Sequence, residues 1–177
     1  LEALGLSKDE NDIINSPTHT FGPVKPGDIK YKDVNGDGKI DDDDIVPIGY
    51  TTTPGLIYGM GLSLEWNGFD FNVLFQGAGN SDFFVGGSGV YPFVDGEVGN
   101  ILKVASNPYD RWISREISGT ADTENPNAVF PRLTYGNSTN NNRASTFWLR
   151  NARYLRLKNL TFGYTIPQKI SRKLLMD

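Results

Sequence analysis

The amino-acid sequence predicts an all-β chain: antiparallel strands of the kind that build a large transmembrane β-barrel, with long loops and a few short helices between them. Three observations point there. Two alternating stretches meet at a two-residue turn, a long segment without strand pairing follows at 77–145, and a third long alternating stretch comes after it.

The first stretch, LIYGMGLSLEW at 56–66, places Leu56, Tyr58, Met60, Leu62, Leu64 and Trp66 on even positions. Ile57, Gly59, Gly61, Ser63 and Glu65 fall between them. Asn67-Gly68 is the strongest short hairpin signal. Beyond it Phe69, Phe71, Val73 and Phe75 alternate with Asp70, Asn72, Leu74 and Gln76. Residues 56–76 therefore read as a hairpin with one apolar face and one small or polar face. Barrel strands need about 9–11 residues, and aromatics such as Trp66 and Phe69 form girdles at the membrane interface. A hairpin of a soluble sandwich, its apolar face in a core, fits the same alternation.

Residues 77–145 tip the balance. Connections beyond about 12–15 residues are uncommon in compact domains, whereas outer-membrane barrels carry short periplasmic turns and long extracellular loops. A short helix is expected in GEVGNILKVASN, and the asparagines of 137–142 read as solvated loop. Residues 146–166 then form the next barrel strand. Leu160, Phe162, Tyr164 and Ile166 share a face, and the alternation slips near Asn159, which calls for a bulge. Pro167 stops the strand, and 167–177 reads as a short basic helix or periplasmic turn. In this topology 56–66 descends toward the periplasm, 69–76 ascends and 148–166 descends again.

Residues 1–55 are expected to lie outside the membrane. LEALGLSKDENDIINS suggests a short helix, followed by the turn-rich stretch that holds DVNGDGKIDDDD at 33–44. Oxygen-bearing side chains fall at loop positions 1, 3, 5, 9 and 12: Asp33, Asn35, Asp37, Asp41 and Asp44. Gly38 sits at position 6, Lys39 at position 7 offers its backbone carbonyl, and Ile40 at position 8 is the apolar anchor. This is the register of an EF-hand calcium loop, with Asp in place of Glu at position 12 as in dockerin modules. The plainer reading is a charged surface turn, since Asn-Gly and Asp-Gly favour turns by themselves. The flanks PGDIKYK and IVPIGY look extended, so a bare structural Ca2+ loop is expected rather than a helix–loop–helix sensor.

Composition excludes several classes. The chain has 177 residues and no Cys, which removes disulfides, thiolate nucleophiles and Cys-based zinc sites. The one histidine, His19, reads as a loop residue, so neither a triad nor a two-histidine metal site is expected. Net charge is −4, of which 33–44 contributes −5, so no basic field for nucleic acid exists. No signal peptide is expected in this stretch, and no apolar run is long enough for a membrane helix. Phe83, Phe84, Tyr91, Phe93, Tyr109 and Trp112 are candidates to stack on sugar rings or to meet a partner. Packing of the loops onto one another is the competing role for each.

Four segments, GDIKYKDVNGDGKIDDDD, GFDFNVLFQG, ENPNAVFPRL and FWLRNARYLRLKNLTFGYTIP, occur in an order that resembles the C-terminal part of SusC/RagA-type TonB-dependent outer-membrane transporters. The resemblance covers most of 27–167 and departs from the family in the variable loops. It implies a 22-stranded parent barrel in the Gram-negative outer membrane, with an N-terminal plug, energised by the TonB complex. It also implies a SusD-like lipoprotein as lid, an oligosaccharide or peptide as cargo, contact with outer-membrane lipid, and no catalysis. Three strands cannot close a barrel, so the chain is expected to be a fragment of such a transporter, without its plug. The alternative is a soluble, calcium-stabilised β-rich module that binds carbohydrate or protein. The apolar face of 56–76 discriminates the two, facing lipid in the first case and a core in the second.

Overall fold

A computed structural model describes residues 1–96 and 99–172. Among the described residues the strands are β1 (Ala3–Leu6), β2 (Thr18–His19), β3 (Ile29–Tyr31), β4 (Lys39–Ile40), β5 (Leu56–Trp66), β6 (Phe69–Gly79), β7 (Asp82–Phe84), β8 (Leu149–Asn151) and β9 (Tyr154–Tyr164). Short helices α1 (Glu10–Ile14), α2 (Lys103–Ser106), α3 (Arg115–Ser118) and α4 (Gln168–Ser171) lie between and after them. No helix among the described residues is long and apolar enough to cross a membrane. The chain divides into two compact units: residues 1–49 with 84–150, and residues 50–83 with those from Asn151 on.

The second unit is built on a three-stranded antiparallel sheet in the order β5–β6–β9. Asn67 and Gly68 both take positive φ, 50° and 85°, as a type I′ hairpin turn requires. Pairing then runs without interruption from Trp66↔Phe69 to Leu56↔Gly79, so β6 continues three residues beyond Gln76. On its other edge β6 pairs with β9, from Phe69↔Tyr164 to Ala78↔Tyr154. The register shifts once: Leu74 faces Asn159 and Phe75 faces Leu157, leaving Lys158 as the extra residue of a bulge.

The bulge has a clear physical cause. Without it, Leu155 and Leu157 would fall on the face opposite Leu160, Phe162 and Tyr164, because side chains alternate with period two. With it, one face of the sheet is apolar across all three strands, while the other carries Ser63, Glu65, Asp70, Asn72, Gln76, Thr161 and Arg156. The apolar face is open to the surroundings: Trp66 is 73% exposed, Phe162 70% and Leu62 50%. The stretch 146–166 is not one strand. Asn151 Oδ1 accepts the Arg153 N–H and Ser81 O accepts the Ala152 N–H, so a kink separates β8 from β9.

The first unit departs more from the sequence reading. Residues 3–6 are strand rather than helix: Gly5 has φ 120°, and β1 pairs antiparallel with β3 through a bulge. Helix begins only at Glu10, where Asp9 caps it by accepting the Asp12 N–H at 2.8 Å. The segment read as one long loop supplies four of the ten buried residues of a hydrophobic core, and Trp148 comes from the stretch read as strand. Ala105, Trp112, Ala128, Phe130 and Trp148 pack with Leu1, Leu6, Ile29, Tyr31 and Ile40. The helix expected in GEVGNILKVASN is confined to α2, and its Glu97 and Val98 lie outside the described residues, as do residues 173–177 of the expected final turn.

Candidate functional site

The acidic loop leaves β3 at Tyr31 and returns through β4, which lies parallel to β2. Its turns are made by the loop's own side chains. Asp33 accepts the N–H groups of Gly36 (2.6 Å) and Gly38 (2.8 Å), one on each carboxylate oxygen. Asn35 accepts from Asp37 (3.0 Å), Asp37 from Lys39 (2.8 Å) and Asp41 from Asp43 (2.9 Å). Gly36 and Gly38 supply the positive φ values, 77° and 83°. Ile40 is fully buried and anchors the loop in the core.

Asp44 closes the loop from its far end. It is buried, and its two oxygens accept the Val34 N–H at 2.6 Å and the Asp41 N–H at 3.0 Å. Those backbone donors hold its carboxyl below the usual carboxylate range. Asp42 and Asp43 face solvent, and Asp42 lies 3.4 Å from Arg143, which stacks on Phe21.

Backbone alternation also orients Lys39. Gly38 O and Ile40 O accept from Thr18 and Thr20 of the β2 segment, so the peptide groups of Lys39 point away from β2. Its N–H goes to Asp37. Among the described residues no three His, Asp or Glu side chains are grouped so as to hold a metal ion. A carboxylate has about four lone-pair sites, and each N–H occupies only one.

Beside the loop lies a polar network that the sequence reading missed. Asn140 and Asn141, read as solvated, are both buried. Asn141 Oδ1 accepts the Ile29 N–H at 2.9 Å and its Nδ2 donates to Asp28 Oδ1 at 2.7 Å. Asn140 Nδ2 donates to Ile29 O at 3.0 Å. The two amides thus pair the edge of β3 that β1 leaves free, as a strand would. Since Asn140 Oδ1 is the acceptor, the His19 Nδ1 that lies 2.7 Å from it carries the proton. Burial pushes the His19 pKa down, so the ring is a neutral structural donor. Arg132 completes the network, with Nε 2.8 Å from Asp28 Oδ1 and Nη2 donating to Oδ2 at 3.0 Å.

The aromatic candidates divide. Phe83, Phe84 and Tyr109 are exposed, Tyr109 to 71%. Tyr91 packs edge-on against Trp148, and Phe93 stacks on Tyr135 with centroids 5.1 Å apart. Trp112 is buried in the core against Gly27, which leaves no ring face for a sugar to stack on.

No protein-family model matches the chain. Two curated proteins of Formosa agariphila do. The chain is 30% identical to TonB-dependent receptor P26 over 164 residues, covering 93% of this chain and 15% of that protein. It is 27% identical to TonB-dependent receptor P3 over 154 residues, covering 86% of this chain and 13% of that protein. The chain is related to TonB-dependent receptors. It spans only about one-seventh of the length of these relatives, and over that part it is mostly β, with antiparallel sheets that are small and unclosed.

Proposed function

We propose that this chain forms part of the barrel wall and the extracellular loops of a SusC/RagA-type TonB-dependent transporter in the Gram-negative outer membrane. The observation that carries this reading is the β5–β6–β9 sheet, with one continuous, exposed apolar face and one polar face. Each of its strands has 11 residues. At about 3.4 Å per residue and a tilt of about 45°, that length crosses roughly 26 Å, close to the ~25 Å apolar band of such barrels. In lipid the open edges of β5 and β9 need further strands of the parent barrel as partners. Transport of glycans or peptides, the TonB complex as energy source and a SusD-like lipoprotein as lid are supported by the motif resemblance and the related receptors. The chain has no catalytic role in this reading.

The test is charge placement. Val73→Lys or Leu62→Lys on the apolar face should cost about 2–4 kcal/mol near the bilayer midplane, whereas Asn72→Lys on the polar face should cost about 0–1. The readout is the amount of folded, membrane-inserted protein recovered from outer membranes. Equal recovery of the Val73 and Asn72 variants would reject the lipid-facing assignment.

Within the same reading, residues 33–44 hold one structural Ca2+ through Asp33, Asn35, Asp37, the Lys39 carbonyl, Asp41 (directly or through a water) and Asp44. The support is the ligand spacing and the self-bonded turns, with the Lys39 peptide groups turned away from β2. The ion would offset carboxylate repulsion and fix an exposed loop. An affinity as weak as about 10⁻⁴–10⁻³ M suffices outside the cell. In calorimetry, Asp37→Ala should abolish calcium binding and Asp43→Ala should leave it nearly intact. Equal losses in both, or no binding by the folded protein, leave only an acidic turn.

A further inference from the structure

A cleft of about 750 Å³ opens in the unit formed by residues 1–49 and 84–150, and its lining includes Lys8, Asp9, Glu10, Lys25, Arg111 and Trp112. That volume lies within the range of small-molecule sites, about 300–1,000 Å³. Most of its charges are already answered. Arg115 and Glu124 pair at 3.0 Å, and Arg132 is held by buried Asp28. Glu10, Glu116, Lys8 and Lys25 are exposed, so water satisfies them.

Arg111 is different. Its guanidinium is partly buried and donates to Ala105 O at 3.2 Å, with no carboxylate in ion-pair range among the described residues. Burial alone pulls its pKa down, and no acidic neighbour raises it again. A guanidinium has five N–H donors, and one is used here. Among the described residues Arg111 is thus the one cation of this cleft that is partly buried and has no carboxylate partner. A cation that gives up part of its hydration without an anionic partner is less well compensated than a paired one, and an incoming oxyanion would supply that partner.

We infer that this cleft binds the oxyanion of a small ligand, a carboxylate or sulfate group, on the Arg111 guanidinium. The planar fork of donors matches two oxygens of either group. Lys8 and Lys25 at the same cleft are balanced by the exposed Asp9, Glu10 and Glu116, so selectivity for an anion rests on the Arg111 fork. The inference concerns this unit alone and does not depend on the transport reading.

The experiment is calorimetric titration of the whole protein with glucuronate, with sodium sulfate and with glucose as the neutral control. At least one anion should bind and glucose should not. Sulfate alone or glucuronate alone identifies which oxyanion the cleft prefers. Arg111→Gln should weaken that binding about tenfold or more, while Arg150→Gln, outside the cleft, should not change it. If circular dichroism shows that Arg111→Gln does not fold, Arg111→Lys keeps the charge, loses the fork and should still bind several-fold more weakly. The inference fails if neither anion binds better than glucose, or if folded Arg111 variants bind as the parent does.

Discussion

Replacing Asn141 by alanine should destabilise the unit formed by residues 1–49 and 84–150 by about 3–5 kcal/mol. The amide bridges two groups that have no water to turn to: the Ile29 N–H on the free edge of β3 and the carboxylate of Asp28, both residues being almost fully buried. Stranding a buried partner costs roughly 1–3 kcal/mol per bond, more when the partner is charged, and the void left by the amide adds to it. Arg132 still holds Asp28 and Asn140 still bonds Ile29 O, which keeps the loss below the sum of the extremes. Asn141→Asp makes the sharper test. It preserves shape and the acceptor for Ile29, but sets a second carboxylate against Asp28, so near neutral pH the loss should be at least as large as for alanine. Denaturant unfolding followed by the fluorescence of Trp112 and Trp148, both buried in this unit, reports the difference. A loss below about 1 kcal/mol for the alanine variant would mean that water replaces the amide and that the bridge is not a keystone.

Why the sequence discloses the sheet and hides this bridge follows from the range of the interactions. The β5–β6 hairpin is a local object: alternation and Asn67-Gly68 fix its register within a few residues. The bulge at Lys158 is also legible, since the slip in alternation near Asn159 demands it. The acidic loop is likewise local: Asn-Gly and Asp-Gly signal its turns, and the anchor expected at Ile40 is buried. The remainder is not local. Asn141 meets Ile29 across 112 residues, and Tyr31 donates to Asn140 O across 109. Polar composition says "solvated" for NSTNNN, because nothing nearby announces a strand edge in need of partners. LEAL reads as helix for a similar reason: its fate is decided by pairing with β3, a segment more than 20 residues away. Trp112 looked available for ligand stacking only because its cover, Gly27, lies far off in sequence.

Gly27 carries the second large effect: Gly27→Ala should cost about 3–5 kcal/mol, although it adds a single methyl group. The backbone here has φ 86°, a conformation that residues with a Cβ adopt only at a cost of order 1–3 kcal/mol. A Cβ at this point would also collide with the ring of Trp112, at its Cε3, Cδ2 and Cγ atoms. Neither side can step back freely. Gly27 N–H donates to Ser7 O at 2.7 Å, and Gly27 O accepts from the Arg132 N–H at 2.9 Å, so its peptide groups are pinned on both sides. The indole is itself 6% exposed and packed in the core, where overfilling costs a further 1–3 kcal/mol or so. The two contributions separate in a double-mutant cycle. Trp112→Leu alone should destabilise through the cavity it leaves, and in that background Gly27→Ala should lose the collision and keep only the backbone strain. A coupling of about 1–3 kcal/mol between the two sites is therefore expected from unfolding midpoints. Strict additivity would show that the ring is not what excludes a side chain at residue 27, leaving φ alone as the reason for glycine.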